Sequence, residues 1–94
     1  MRHVPEGTPC QMAVWAELLR IPRGEVRTYT QIAAAIGRPN ATRAVANACG
    51  ANPDPPRVPS HRVVRSDGGL GGYSGPGGIA TKRRMLREEG VDID

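Results

Sequence analysis

Apolar residues recur at helical spacing in four stretches of the chain. In the first, Val14/Trp15 and Leu18/Leu19 follow Gln11, and Thr8-Pro9-Cys10-Gln11 forms a capping box with Pro at the first helical position. Ile21-Pro22-Arg23-Gly24 stops that helix with a turn. Thr28-Tyr29-Thr30-Gln31 repeats the capping pattern, Ile32, Ala35 and Ile36 supply an apolar face, and Gly37 stands where a C-terminal cap belongs. Arg38-Pro39 turns the chain, and Asn40 is placed to cap a third helix from Ala41 to Gly50. Two short helices joined by a Gly-containing turn predict a helix-turn-helix. A last helix over Ile79–Glu89 puts Ile79, Arg83 and Leu86 on one side, with Met85 beside them, and ends at Gly90.

The segments between these helices are punctuated differently. Three prolines within Asn52-Pro53-Asp54-Pro55-Pro56 predict an extended, irregular stretch. Val58 to Val64 reads as a short strand-like segment, and Ser66 to Gly78, with seven glycines, reads as a loop. The expected fold class is mainly α: one small helix-turn-helix (winged-helix-like) domain over residues 1–94, with a short β-like segment. With no Phe, one Trp and two Tyr, the core must rest on Leu, Ile, Val, Met and Ala.

Charge adds a partner to this picture. Thirteen basic residues stand against nine acidic ones, and Lys82 is the only lysine among them. Guanidinium groups suit phosphates and stack on bases, so the bias fits a nucleic acid. No apolar run approaches the roughly 18–20 residues of a membrane span, and Met1-Arg2-His3-Val4-Pro5 lacks a signal peptide's apolar stretch. Cys10 and Cys49 make neither a disulfide framework nor a zinc site. The expectation is a cytoplasmic protein without metal, cofactor or membrane partner.

The candidate chemistry lies in Pro59-Ser60-His61-Arg62-Val63, where a hydroxyl, an imidazole and a guanidinium sit between a Pro-rich and a Gly-rich segment. Here the chain resembles the DNA-binding, active-site domain of the O6-alkylguanine-DNA alkyltransferases, and more closely the small alkyltransferase-like proteins of that family. The resemblance runs from Gly7-Thr8-Pro9 to Glu89-Gly90 through Val14-Trp15, Ile21-Pro22-Arg23-Gly24-Glu25, Tyr29, Arg43-Ala44-Val45, Gly50-Ala51-Asn52-Pro53, the Ser60 segment and Gly72-Tyr73-Ser74-Gly75. The family's signature is Pro-Cys-His-Arg-Val, and Ser60 occupies its cysteine position.

The resemblance implies roles residue by residue. Arg43 looks like the finger that fills the gap left by a flipped base, and Tyr29 like the residue that presses on the target phosphate. Thr30, Gln31, Ala41, Thr42, Ala44 and Asn47 join them in contacting DNA, and Ala41, Ala44 and Ala48 let the third helix approach the minor groove. Tyr29, Val58, Pro59, Ser60, Arg62, Tyr73 and Ser74 would line the alkylguanine pocket. Asn52, His61 and Glu89 would remain as the network that once activated the cysteine. Without that cysteine no catalytic residue is expected, because a Ser hydroxyl is hard to ionise and a poor nucleophile toward an alkyl carbon.

The function expected is therefore binding, by a monomer, of double-stranded DNA containing O6-alkylguanine. It would proceed by nucleotide flipping without alkyl transfer, and mark the lesion for nucleotide excision repair proteins. The alternative is an engineered Cys-to-Ser inactive form of a family methyltransferase. Three other readings are weaker. Transfer to Cys10 or Cys49 lacks the signature; a Ser60-His61-Glu89 hydrolase lacks a nucleophile elbow around Ser60. A major-groove regulator would need more polar side chains on the third helix than Thr42, Arg43 and Asn47.

Overall fold

The computed structural model describes residues 3–73 and 75–92. Its order is α1 (Pro9–Leu18), β1 (Arg27–Thr28), α2 (Tyr29–Ala35), α3 (Thr42–Gly50), a 3-10 turn (Ser60–Arg62), β2 (Val63–Val64) and α4 (Gly78–Glu88). This is a small, mainly helical fold with a two-stranded parallel pair, Arg27 opposite Val63 and Thr28 opposite Val64.

Local chemistry sets the helix ends. Thr8 and Thr28 each accept the N3 amide (3.1 and 3.0 Å), and Gln11 and Gln31 return the bond to the cap amide (2.9 and 2.8 Å). Thr28 also ends β1, so the strand runs straight into α2. Gly37 and Gly90 take positive φ (78° and 84°) and close α2 and α4. At each, the following amide reaches back to the third-last helical carbonyl, Arg38 N to Ala33 O (2.9 Å) and Val91 N to Leu86 O (2.8 Å).

The main core lies between α1, α2 and α3 and holds Val14, Trp15, Leu18, Ile21, Ile32, Ala33, Val45, Ala48, Cys49, Val58 and Val63. The indole of Trp15 donates to Ala48 O at 2.9 Å, fixing α1 against α3. A second cluster of Val64, Leu70 and Leu86 seats α4.

Several local expectations are corrected. Asn40 does not cap α3: Ala41 is the cap residue, without a side-chain bond, because a turn closed by Ala41 N to Arg38 O (2.9 Å) delays the helix to Thr42. In α2 the small buried residue is Ala33, not Ala35, since that helix packs on both α1 and α3. In α4 Lys82 and Leu86 face inward and Ile79 is exposed. The Pro-rich stretch is turned rather than extended, with Asp54 N bound to Asn52 Oδ1 (3.0 Å) and Val58 N to Asp54 O (3.0 Å). The segment Val58–Val64 is strand only at Val63–Val64, because β1 offers just two residues to pair; before it, Arg62 N bonds Pro59 O at 3.0 Å in a 3-10 turn.

These assignments separate two substitutions. Thr28→Ala removes a working cap and should lower unfolding stability by about 1 kcal/mol. Asn40→Ala removes no bond and should stay within about 0.5 kcal/mol of the parent. Urea denaturation of both variants measures the difference, and an equal loss would restore Asn40 as a cap.

Candidate functional site

A cavity of about 370 Å³ opens between the helix-turn-helix and the Gly-rich loop, lined by Tyr29, Ala46, Asn47, Cys49, Gly50, Ser60, Gly72 and Tyr73. Tyr29 is the first residue of α2, and the last turns of α3 supply four small or polar walls at helical spacing. The loop closes over Tyr29 because Gly71, at φ +74°, has no Cβ; one would stand 2.7 Å from the Tyr29 hydroxyl. The phenol of Tyr73 points to the Met85 sulfur on α4 at 3.8 Å.

Ser60 is buried, and its hydroxyl accepts from Asn52 Nδ2 at 3.2 Å. The same Asn52 amide donates to Val58 O at 2.7 Å, so it braces the chain on both sides of Pro59. The next two residues turn away toward α4. Glu89 receives Arg62 Nε and Nη2 at 2.9 and 3.0 Å, and His61 Nε2 at 2.9 Å. Arg62 Nη1 also donates to Ile21 O at 2.8 Å, tying the turn to the segment that follows α1.

The electrostatics follow from this arrangement. Burial opposes the Glu89 charge, but the bonds from Arg62 and His61 outweigh it and hold the carboxyl down to about 2. Burial pushes His61 below 6.5 against the pull of Glu89, so its neutral ring donates from Nε2; Nδ1 is buried without a protein partner among the described residues. Burial pushes the Cys49 thiol up to about 12, although Lys82 acts the other way, and pushes the Tyr29 phenol up to about 12. Among the described residues no group of three or more His, Cys, Asp or Glu side chains is placed to hold a metal ion.

The structure brings some expected site residues together and separates others. Tyr29, Ser60, Tyr73 and Asn47 share the cavity, and Asn52, His61 and Glu89 lie behind it. Val58 does not line it, being fully buried in the core. Pro59 and Arg62 line a different groove with Leu19, Ile21, Pro22, Arg23 and Arg57. The 3-10 turn explains this: it leaves Ser60 alone facing the cavity and sends Arg62 to Glu89. Ser74 lies outside the described residues. On the outer surface, Thr30 sits 3.0 Å from the Ser66 hydroxyl, Gln31 is engaged in its cap, and Ala41, Thr42 and Ala44 are partly exposed at the start of α3. Arg43 is exposed and has no ion-pair partner among the described residues. Ala48 is buried under Trp15; the small exposed residues of α3 are instead Ala46 and Gly50.

Comparison with known proteins decides what this arrangement belongs to. The family described as 6-O-methylguanine DNA methyltransferase, DNA binding domain, matches residues 9–91. The chain belongs to this family. A family relative, the methylated-DNA–protein-cysteine methyltransferase of Salmonella typhimurium, is 51% identical over 84 residues, covering 89% of this chain and 48% of its own length. Among solved structures, Mycobacterium tuberculosis OGT in complex with DNA superimposes with a TM-score of 0.85 at 50% identity, over 89% of this chain and 51% of its own. S. pombe Atl1, in complex with damaged DNA containing O6-carboxymethylguanine, gives a TM-score of 0.76 at 30% identity, over 96% of this chain and 83% of its own. The chain thus spans about half the length of the methyltransferase relatives and most of the length of Atl1.

The geometry also adds residues that the sequence reading did not single out for the site. Ala46, Cys49 and Gly50 join Asn47 in the cavity wall; their spacing along α3 carried the signal. Lys82 was overlooked, although its position one turn before Leu86 places it on the inner side of α4.

Acid should unfold the domain through this network. The unfolded Glu89 takes up its proton near 4.5 and the folded one near 2, and His61 is likewise depressed from 6.5. Both bind protons more readily when unfolded, so stability is full above about pH 6.5 and falls on acidification. The Glu89 share is lost as the pH falls from 4.5 toward 2. Denaturation midpoints from pH 7 to 3 should show this fall, and Glu89→Gln should start lower and show a shallower one.

Proposed function

We propose that this chain binds double-stranded DNA through α3, takes an O6-alkylated guanine out of the stack into the cavity, and leaves the alkyl group on the base. Cavity composition supports the reading: Ser60, which we take to stand at the family's nucleophile position, lines it, and the one thiol among the described wall residues, Cys49, is held protonated by burial. Alkyl transfer requires a thiolate to form a sulfur–carbon bond as the carbon–O6 bond breaks. A hydroxyl bonded to Asn52 and a buried neutral thiol offer no such anion. The likeness to Atl1, whose structure holds damaged DNA, supports the lesion as ligand. The bound domain, one chain per lesion, would present the site to nucleotide excision repair proteins.

One observation favours a second reading, an inactive form of a methyltransferase. Asn52, His61 and Glu89 keep the geometry that would support a thiolate beside them. Ser60→Cys distinguishes the two: stoichiometric methyl uptake by the variant identifies a disabled transferase, and an inert but folded variant identifies a binding protein.

The direct test pairs a gel shift with a transfer assay. Duplexes carrying one O6-methylguanine should bind more tightly than unmodified ones, and a radiolabelled methyl group should remain on the DNA. Label on the protein would contradict the proposal.

Arg43 tests the flipping step. Extrusion costs a few kcal/mol, so loss of the residue that fills the gap should weaken lesion binding by about 2 kcal/mol more than binding to unmodified DNA. Arg43→Lys should rescue poorly, lacking the planar stacking group. Equal losses on both duplexes would make Arg43 a phosphate contact only.

A further inference from the structure

Lys82 is the chain's one lysine and, among the described residues, the largest fully buried side chain. An ammonium out of water is costly unless polar groups replace its hydration. Its Nζ donates to Val63 O at 2.6 Å and to Gly72 O at 3.1 Å. No carboxylate among the described residues lies within ion-pair distance of it. A buried cation held by two carbonyls and an aromatic face, without a carboxylate, is a poorer core residue than a Met or Leu of similar reach, so packing gives no reason for a lysine here.

Its placement gives one. Val63 follows the turn that carries Ser60, Gly72 and Tyr73 form the opposite wall of the cavity, and Nζ lies 5.9 Å from the centroid of the Tyr29 ring. We propose that Lys82 is a positioning residue for the bound base: its ammonium ties the Gly72–Tyr73 wall to β2 beneath Tyr29 and holds the cavity in its receptive shape before DNA arrives. This rests on the lesion-binding reading above.

The clamp is charged, so it responds to pH. The titratable groups facing Lys82 are Tyr29 from α2, Cys49 from α3 and His61 from the turn. Burial brings Lys82 down to about 8, with Cys49 opposing, while burial holds Tyr29 and Cys49 up at about 12 and His61 below 6.5. Between pH 7 and 9 Lys82 is therefore the member of this cluster that changes charge. The neutral amine still donates, but hydrogen bonds from a charged donor are about twice as strong.

Lys82→Met keeps the length and removes both charge and donors. Two readouts decide. Backbone order parameters of Gly72 and Tyr73 in the free protein should fall from about 0.85 toward 0.6 while those of α1 stay high. Affinity for a duplex with one O6-methylguanine should fall roughly tenfold, the scale of one to two lost hydrogen bonds, with unmodified duplex unaffected. Lys82→Arg, still charged, should recover part of both. Unchanged order at Gly72 and Tyr73, or equal losses on the two duplexes, would overturn the proposal. If Lys82→Met does not fold, the wild type decides. Its order at these two residues, followed by carbon-detected relaxation, should drop from pH 7 to 9, and constancy would overturn the clamp. A wild type that binds both duplexes equally would defeat lesion binding itself, and the order measurements would still judge the clamp.

Discussion

The Glu89 carboxylate is the contact on which the site depends. It sits one residue beyond α4, where Gly90 closes the helix, and it receives two bonds from Arg62 and one from His61. Those bonds turn both side chains away from the cavity, and Arg62 carries the link on to the last turn before β1 through Ile21 O. One buried anion thereby holds the Ser60 turn against α4 and, through Arg62, against the segment that follows α1. Because both partners arrive with hydrogen bonds, the carboxylate's burial is compensated rather than left as an isolated charge.

With that turn fixed, the cavity is walled by small groups. Ser60, Cys49, Ala46, Gly50 and Gly72 leave room between the rings of Tyr29 and Tyr73. Burial keeps the Cys49 thiol in that wall protonated at neutral pH. Burial lowers the pKa of the imidazole behind it, which is bonded to Glu89.

Much of the fold was legible because its signals are local. Capping boxes at Thr8 and Thr28 and left-handed glycines at 37 and 90 are each decided by a few neighbouring atoms, and each lies where the residues indicated. The differences came where a competing turn or a distant partner decides. Asn40 has the chemistry of a cap, but the Arg38–Ala41 turn moved the helix start. Val58–Val64 has strand-like composition, yet β1 pairs with only two of its residues and Glu89 draws two others aside. Lysine is a residue type seldom fully buried, and the carbonyls of Val63 and Gly72, nineteen and ten positions away in the chain, offset the burial of Lys82. The candidate site divided in the same way. The family motif placed Ser60, Asn52, His61 and Glu89 together, whereas Pro59 and Arg62 went to another groove once the backbone turned.

The central claim is that the base enters this cavity, and chemical-shift mapping of the labelled protein tests it most directly. Amides of Cys49, Ser60 and Tyr73 should shift on adding a duplex with one O6-methylguanine and stay in place with the unmodified duplex, while Thr42 and Arg43 should respond to both. Shifts at Thr42 and Arg43 with no lesion-dependent change at Cys49, Ser60 and Tyr73 would mean that DNA docks on α3 and the cavity stays empty, contradicting the account.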